Sequence, residues 1–483
     1  MTRRLPACPP RQAQHGVATL AVVMVLFFII AMTAAYTSRN MIFEQKTSAN
    51  QYRSTLAIEA AEAGIEWTLA QLNGGLVNDS CGSGSPTVSF QQRYLQITDD
   101  LALAGNGRVL NRAGRPTGAV GNWPACVFDG SSWNTPAHCA CPNDTAATPG
   151  AASGSDILPA FRVWLAHPAP AQLIARPGVV AVQVNGCTKL PASAGERCLD
   201  LDPQGDVGDG LATLRLLLAL RSALVAPPPA AVTARQGLSH DANVANPKLV
   251  VVNRDLRTNG VTVTAGGAVN KDRLTAVSLP GVPGELAIVD SDDKLEALAT
   301  VAPAAGSLSA NERMFVSQFG MTRQTYLEQP GLRRCPSPPS TTCTAADINA
   351  LLAQHPGRAI WVDGNLSLEA NATVGTTAAP VLLVIDGISL TLGSNVDITG
   401  FVYLTGRTPP AGAPAAVTVN LPTAPTTLTG ALVSETSLLT SYAGTPAPTD
   451  ELTVTYSPAV LNTLRVGYGS WVRVPGSWRD FRE

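Results

Sequence analysis

The dominant hydrophobic pattern of the chain is a long apolar run near its start. From Val17 to Ser38 the sequence has no charged residue, no glycine and no proline. An apolar helix of about 20 residues is long enough to cross the hydrocarbon core of a bilayer. Helix-forming residues without proline continue to about Leu72, and a helix from Val17 to Leu72 would be roughly 80 Å long. The pattern predicts a helix whose first half spans a membrane and whose second half projects from it.

Three later stretches predict an antiparallel sheet. Residues 161–166 and 179–186 alternate between apolar and polar positions, as half-buried strands do. Residues 213–224 form a short apolar run that fits either a helix or a strand. We interpret this run as a strand because it ends shortly before three consecutive prolines, Pro227 to Pro229. Together with the long helix, these strands predict a helix packed on an antiparallel sheet.

From residue 230 the pattern changes to brief β-prone runs separated by Gly, Asn or Asp. Two of these runs, 398–403 and 428–433, repeat a Thr-Gly-apolar theme roughly 30 residues apart. Short strands with repeated corners are typical of a β-solenoid, in which each coil buries its inner face on the next. The irregular period leaves a β-sandwich as the alternative. Helical spacing interrupts the pattern over about 292–354, and residues 466–483 are interpreted as a capping strand with an exposed end.

Cysteine usage indicates an oxidising compartment. Eight cysteines follow the apolar run, and an even number behind an export signal predicts disulfides; these are Cys81, Cys126, Cys139, Cys141, Cys187, Cys198, Cys335 and Cys343. Loop closure favours the pairs Cys187–Cys198 and Cys335–Cys343, because each encloses a short loop with turn residues.

The other four cysteines leave two interpretations open. A direct bridge between Cys139 and Cys141 would be strained. We therefore expect each of them to pair with either Cys81 or Cys126, in an order that the sequence does not determine. The alternative is a zinc site formed by Cys126, His138, Cys139 and Cys141, although a C-x-C spacing departs from the usual zinc knuckle.

The residues before the apolar run have the properties of a short leader. They are basic and polar, and they end in Gln14-His15-Gly16. An ordinary secretory signal places its apolar segment before a small-residue cleavage site, whereas here the small residue comes first. Cleavage after Gly16 would leave the apolar helix on the mature protein as an anchor; an uncleaved signal anchor is the alternative. Basic residues before the span predict a cytoplasmic leader in either case.

Two motifs in this part of the chain resemble those of a known family. Gly16-Val17-Ala18-Thr19-Leu20 and the apolar run after it resemble the class III signal of type IV prepilins and type II secretion pseudopilins. Further along the helix, Ala60-Ala61-Glu62-Ala63-Gly64 resembles the signature of PilX-type minor pilins. The resemblance implies cleavage after Gly16 by prepilin peptidase, methylation of the new Val17 amine, and insertion of the helix into the core of a pilus.

One departure from the family pattern bears on the subunit's position. Major pilins carry Glu at mature position five, and this chain has Ala21 there. Without that carboxylate, the subunit lacks the usual salt bridge to the amino terminus of a neighbour. The resemblance therefore implies a low-copy subunit or one at the tip of the filament, and not a major structural subunit.

The expected fold class is α+β, with six segments. They are a prepilin leader (1–16), a transmembrane and stalk helix (17–72), a disulfide-bearing pilin-like region (73–229), a β-rich module (230–291), a helical insertion (292–354) and the rest of the β-rich module (355–483). The β-rich module is expected to be a β-solenoid.

The function that the resemblance implies is assembly or priming of a type IV pilus. The expected partners are other minor pilins, the major pilin, the inner membrane and, as processing enzyme, prepilin peptidase. The subunit would sit in the inner membrane with its head in the periplasm, and would become extracellular after assembly. The alternatives are a pseudopilin of a type II secretion system, or a pilus-borne adhesin that binds a surface or host ligand.

Other chemistry is weakly represented. Charged residues make up only 14% of the chain, with a net charge of −2 and no basic patch, so we expect no nucleic acid partner. We expect no cofactor and no enzymatic activity. Asp363 and Asp386 are the best pair of carboxylates, yet each lies in an Asp-Gly turn. A turn rich in carboxylates is a weak candidate for calcium; its acidic residues are Asp200, Asp202, Asp206 and Asp209.

Overall fold

The architecture is organised by one long helix. The computed structural model describes residues 16–83, 88–95, 97–99, 108–110, 123–133, 138–142, 149–150, 158–166, 178–188, 210–241, 248–295, 308–336, 342–407, 415–421, 424–442 and 451–480. Helix α1 (Gly16–Asn73) is continuous, as expected for a stretch without proline and with no glycine between Val17 and Ala63. It is followed directly by Gly74 and Gly75, residues that commonly end helices.

Short elements lie between α1 and the main sheet. Strand β1 (Leu76–Val77) pairs with β2 (Val88–Ser89), and β3 (Ile97–Asp99) pairs with β4 (Arg108–Leu110). Helix α2 (Phe90–Tyr94) begins at a capping box, in which Ser89 and Gln92 each satisfy the other's backbone N–H.

A six-stranded antiparallel sheet packs against the second half of α1. Its strands are β5 (Ala125–Val127), β6 (Cys139–Ala140), β7 (Ala160–Ala166), β8 (Val179–Cys187), β9 (Leu211–Ser222) and β27 (Gly469–Arg473). Their order is β27-β9-β8-β7-β5-β6. The three strands predicted at 161–166, 179–186 and 213–224 are thus confirmed, and the run that could have been a helix is the long strand β9.

The position of β27 corrects one expectation. The sequence assigned the end of the chain to the β-rich module, but β27 pairs with β9, residue for residue from Gly469–Ser222 to Arg473–Leu218. Trp471 accounts for this placement, because its side chain is fully buried in the core between α1 and the sheet. The β-rich module is therefore inserted between two neighbouring strands of the sheet.

The β-rich module is a three-faced parallel β-solenoid. The threonine face contains β12 (Lys248–Val252), β14 (Leu274–Val277), β19 (Thr373–Val374), the first halves of β22 (Asp397–Leu404) and β24 (Thr426–Ser434), and β26 (Glu451–Tyr456). The covered face contains β10 (Val232–Ala234), β13 (Val263–Ala265), β15 (Ile288–Val289), β16 (Arg333–Cys335), β17 (Ile360–Asp363), β20 (Val381–Asp386) and the second halves of β22 and β24. The third face contains β11 (Leu238–His240), β18 (Leu366–Leu368), β21 (Ser389–Leu392), β23 (Val417–Leu421) and β25 (Leu438–Tyr442).

The repeated Thr-Gly theme marks a corner of the solenoid. Gly400 and Gly430 are partners in register, and they divide β22 and β24 between two faces. Gly430 has φ +144°, and a Cβ there would overlap the carbonyl oxygen of Gly400. Glycine is required because the two backbones approach closely at the bend.

The coils are not stacked in chain order. Strands β10, β11 and β12 come first in the chain, yet they pair with β24, β25 and β26, which come last. Strands β13 and β14 continue the stack outward from β10 and β12. The middle of the solenoid is therefore built from two segments that lie about 200 residues apart in the sequence.

Four of the helices that the structure describes cover or close the solenoid. They are α3 (Ala310–Phe319), α4 (Arg323–Leu327), α5 (Ala345–Gln354) and α6 (Pro458–Gly467). Helices α3, α4 and α6 bury the outer side of the covered face, where Phe315, Tyr326 and Tyr403 share one aromatic cluster. Helix α5 places Ala345, Ile348 and Leu352 in the solenoid core.

The helical insertion is thus confirmed for α3, α4 and α5, with one correction. Residues 333–335 lie inside the segment expected to be helical, but they form strand β16 and pair with β17. Cys335, in β16, contributes to the solenoid core, which explains why this part of the insertion is extended.

Candidate functional site

The first half of α1 is exposed to solvent along its whole length. Residues 17–52 are all exposed, and Val17 is 73% exposed. The helix is long and apolar enough to span a membrane. The hydroxyls of Thr33 and Thr37 donate to the carbonyls of Ile29 and Thr33, each at 2.9 Å, so neither leaves a polar group unsatisfied in an apolar environment.

The Ala-Ala-Glu-Ala-Gly motif lies where α1 meets its own sheet. Ala60 and Ala61 are fully buried, Gly64 is buried, Ala63 is half-buried and Glu62 is exposed. A Cβ at Gly64 would lie 2.6 Å from Val184 Cγ1. The small residues of the motif therefore allow close packing of the helix on the head, whereas its carboxylate faces solvent.

A cluster of cations from the solenoid surrounds the C-terminal end of α1. Arg358 donates to the carbonyls of Leu72 and Gly469, and Arg333 Nη2 donates to the carbonyl of Asn73 at 2.7 Å. Burial lowers the pKa of His355 to about 4, with further contributions from Arg333 and Arg358. The same burial lowers the pKa of Arg358 to about 9. No local sequence pattern points to these residues, and sequence reasoning missed them.

The cysteines form disulfides that staple the loops. Cys81 pairs with Cys141, and Cys126 pairs with Cys139. These two bonds give the pairing of the four cysteines that the sequence left open. Cys335 pairs with Cys343, the pairing that the short loop favours. Cys187 is also disulfide-bonded, and its expected partner, Cys198, lies outside the described residues.

These disulfides contradict the zinc alternative. The three thiols it requires, Cys126, Cys139 and Cys141, are all engaged in S–S bonds, and His138 Nδ1 lies 3.1 Å from the carbonyl oxygen of Gly150. The part of the chain that the structure describes contains no group of three His, Cys, Asp or Glu side chains placed to hold a metal ion. The calcium candidates lie outside the described residues; they are Asp200, Asp202, Asp206 and Asp209.

The two carboxylates singled out in the sequence are brought together on the covered face. Asp363 and Asp386 are partners in register between β17 and β20. Asp363 pairs with Arg334 at 2.7 Å, and Asp386 lies 3.9 Å from both Arg323 and Arg407. Each carboxylate therefore faces arginine.

A buried ion pair, not expected from the sequence, joins α4 to the solenoid. Glu435 is 0% exposed and accepts two contacts from Arg323 Nη2, each at 2.8 Å. The hydroxyl of Tyr403 donates to the same carboxylate at 2.9 Å. Burial raises the pKa of Glu435 to about 7, although Arg323 and the hydrogen bond from Tyr403 act in the opposite direction.

The threonine face presents regular rows of threonine and valine side chains, with Asp397 in the second row. In one row Thr399, Thr429 and Thr455 are partners in register, followed by Val252 and Val277. In the next row Thr427 and Thr453 are partners. Side chains in such rows repeat at the spacing of hydrogen-bonded strands, roughly 4.8 Å. The Thr-x-Thr repeats at 427–429 and 453–455 were a visible signal for this face.

Comparisons with known proteins give only remote likenesses. No protein-family model matches the chain, and no curated protein matches it. Among solved structures it is similar to an ice binding protein from an Antarctic bacterium, Flavobacteriaceae, with a TM-score of 0.22 and 12% identity over 50% of this chain. It is also similar to the competence-associated pilin ComZ from Thermus thermophilus, with a TM-score of 0.19, 13% identity, and coverage of 89% of this chain and 98% of that one. The chain spans about half the length of the ice binding protein that it matches. At these TM-scores neither likeness carries an argument about function.

Proposed function

We propose that the protein is a membrane-anchored minor pilin of the PilX type, which contributes to assembly or priming of a type IV pilus. The observation that carries the proposal is the exposed half of α1. Residues 17–52 extend roughly 50 Å from the head, and only part of that length is needed to cross a bilayer. A filament core of packed helices would bury the rest.

The prepilin-like start of α1 supports the same function. Gly16 is the first residue of the helix and Val17 the second, so cleavage between them would produce an amino terminus at the very end of the helix. Ala21 lies on the exposed part of α1 and offers no carboxylate to a neighbouring subunit. We therefore place the subunit near the tip, where no further subunit has to dock on that position.

Processing of the amino terminus tests the proposal. Mass spectrometry of sheared pili and of membranes should detect a peptide that begins at methylated Val17. Replacing Gly16 with valine should abolish that peptide and retain the full-length precursor, because the peptidase would no longer find a small residue before the cut. Ala13→Val, three residues earlier in the leader, is the matched control and should be processed normally. Absence of a Val17 peptide from both fractions would contradict the proposal.

A pseudopilin of a type II secretion system is the alternative with the same helix. Deletion of the gene separates the two: loss of twitching motility supports the pilus, whereas loss of exoprotein secretion supports the pseudopilus.

The threonine face favours a second candidate function, a binding module carried by the filament. Its two central rows are threonine and valine, with Asp397 as the only carboxylate in those rows. No helix covers these rows in the described residues, whereas α3, α4 and α6 bury the covered face. A periodic surface of threonine and valine with a single carboxylate in its rows fits an ordered, uncharged solid that carries hydroxyl groups, such as a crystalline polysaccharide.

Introducing positive charge on the threonine face tests this second function. The purified protein should co-sediment with crystalline cellulose or chitin, and Thr429→Lys with Thr455→Lys should reduce the bound fraction about tenfold, because two ammonium groups would lose hydration against a neutral surface. Ser239→Lys, on the third face, should bind normally. Equal binding by all three proteins would exclude the threonine face as the contact.

A further inference from the structure

The end of the stalk helix is held by the solenoid through several independent contacts. The last carbonyls of a helix lack intrahelical partners and carry the negative end of its macrodipole. In α1 the last two of these carbonyls accept hydrogen bonds from arginines that belong to the solenoid. Arg358, which is 2% exposed and precedes β17, donates to the carbonyl of Leu72, and Arg333, in β16, donates to that of Asn73.

The last strand of the chain is bound to the same point. Asn73 Nδ2 donates to the carbonyl of Trp471 at 2.9 Å, and the backbone N–H of Trp471 donates to Asn73 Oδ1 at 2.8 Å. Arg358 also donates to the carbonyl of Gly469, so one guanidinium joins α1 to β27. Asn73 and Arg358 thus tie three segments together that are far apart in sequence.

Helix α5 approaches the chain just beyond α1. A Cβ at Gly75 would lie 2.7 Å from the carbonyl oxygen of Gln354 and 2.9 Å from His355 Nδ1. Glycine at this position lets the end of α5 rest against the end of the stalk.

The contacts to Leu72, Asn73 and Gly75 involve a segment other than the two that carry the chain into and out of the solenoid. The chain leaves the sheet after Ser222 and returns at Gly469, and these residues are neighbours, with Ala223 N donating to the carbonyl of Tyr468 at 2.8 Å. Two adjacent crossings would act as a single hinge, and relative motion is the usual behaviour of joined domains with small interfaces. The contacts to Leu72, Asn73 and Gly75 are made to a third segment, and they oppose rotation of the solenoid about this hinge.

We propose that the C-terminal end of α1 is a rigid joint that fixes the orientation of the solenoid relative to the stalk, so that the two move as one rigid body. The packing of the stalk then determines which way the threonine face points. A force on the solenoid passes directly into the helix.

Distance measurements between spin labels test the joint. The full chain, with Cys8→Ser, would carry labels at Thr55→Cys on the stalk and Ser367→Cys on the solenoid, both exposed positions. The native joint should give one narrow distance distribution. The double variant Arg333→Met with Arg358→Met should give a distribution about twice as wide, because the carbonyls of α1 lose their donors.

Two further variants keep the result interpretable. Arg334→Met removes a neighbouring arginine whose pair with Asp363 is exposed (59% and 43%), and it should leave the distribution narrow. Gly75→Val removes no charge, but its side chain would meet the carbonyl oxygen of Gln354 and force the end of α5 away from the stalk, so it should broaden the distribution even if the double variant does not fold. An unchanged width in Gly75→Val, or in a folded double variant, would overturn the proposal.

Discussion

Replacing Gly186 with alanine is expected to destabilise the helix–sheet unit by about 1–3 kcal/mol, the usual range for forcing an extra group into a well-packed core. Gly186 lies in β8, directly beneath α1. Its Cβ would overlap the carbonyl oxygen of Ala57 and would lie 2.5 Å from the backbone N of Ala61. Because both contacts are to helix backbone, no side chain can rotate away, and the helix itself would have to lift from the sheet. Thermal unfolding of the purified protein would show the loss as a lower midpoint.

Two other glycines serve as graded comparisons. Gly64→Ala should cost less than Gly186→Ala, because its Cβ would meet only side-chain atoms of Val184 and Phe161, and because alanine favours a helix by about 1 kcal/mol. Gly467→Ala should be neutral or slightly stabilising, since Gly467 ends α6 and has open space around its Cβ direction. Equal midpoints for the Gly186 and Gly467 variants would show that α1 does not approach the sheet as closely as the structure indicates.

Short-range sequence patterns predicted the elements that short-range residue preferences determine. The absence of proline from Val17 to Leu72 was enough to predict one continuous helix, and the helix runs from Gly16 to Asn73. The Thr-Gly repeats predicted the solenoid, because a glycine corner must recur wherever two coils bend together; Gly400 and Gly430 are indeed stacked. The expected α+β class is confirmed.

The features that local patterns could not predict depend on contacts between distant segments. The pairing of β27 with β9 joins residues about 250 positions apart, and a short strand of residues 469–473 carries no mark of which sheet it will enter. The order of the coils was hidden for the same reason, since β10 pairs with β24 across about 200 residues. Arginines 333 and 358 look like ordinary charged residues until the end of α1 is placed beside them.

This division also explains how the candidate functional regions were found. The exposed half of α1 was predicted from an unbroken apolar run, which can be read directly from the sequence. The Thr-x-Thr repeats are also visible in the sequence, but their role as one face of the solenoid was not predicted from it. The joint and the buried ion pair are single contacts between elements, so they became visible only in the folded chain.

Removing one partner of the buried ion pair is expected to lower the stability of the solenoid more than any other single substitution. Arg323→Met would leave Glu435 fully buried, with the Tyr403 hydroxyl still donating to its carboxylate in the part of the chain that the structure describes. Loss of one partner of a buried pair costs about 3–5 kcal/mol, because the remaining charge stays desolvated. Lys271→Met, which breaks an exposed pair with Asp290 (45% and 44% exposed), should cost less than about 1 kcal/mol.

The pH dependence of the Arg323→Met variant separates this cause from a simple loss of packing. Burial already holds the pKa of Glu435 above its value in the unfolded chain, and losing Arg323 raises it further. An acidic group whose pKa is raised in the folded state does not destabilise the fold below its unfolded pKa. The destabilisation grows as the pH rises and is complete above the folded-state pKa. The deficit of Arg323→Met should therefore be larger at pH 8 than at pH 5, and adding Glu435→Gln should remove that difference, since a neutral amide has no proton to take up. Unfolding midpoints at the two pH values measure both effects. A loss of stability that is the same at pH 5 and pH 8 would instead assign the role of Arg323 to its packing against Phe315. The ring centre of Phe315 lies 4.8 Å from the guanidinium carbon of Arg323.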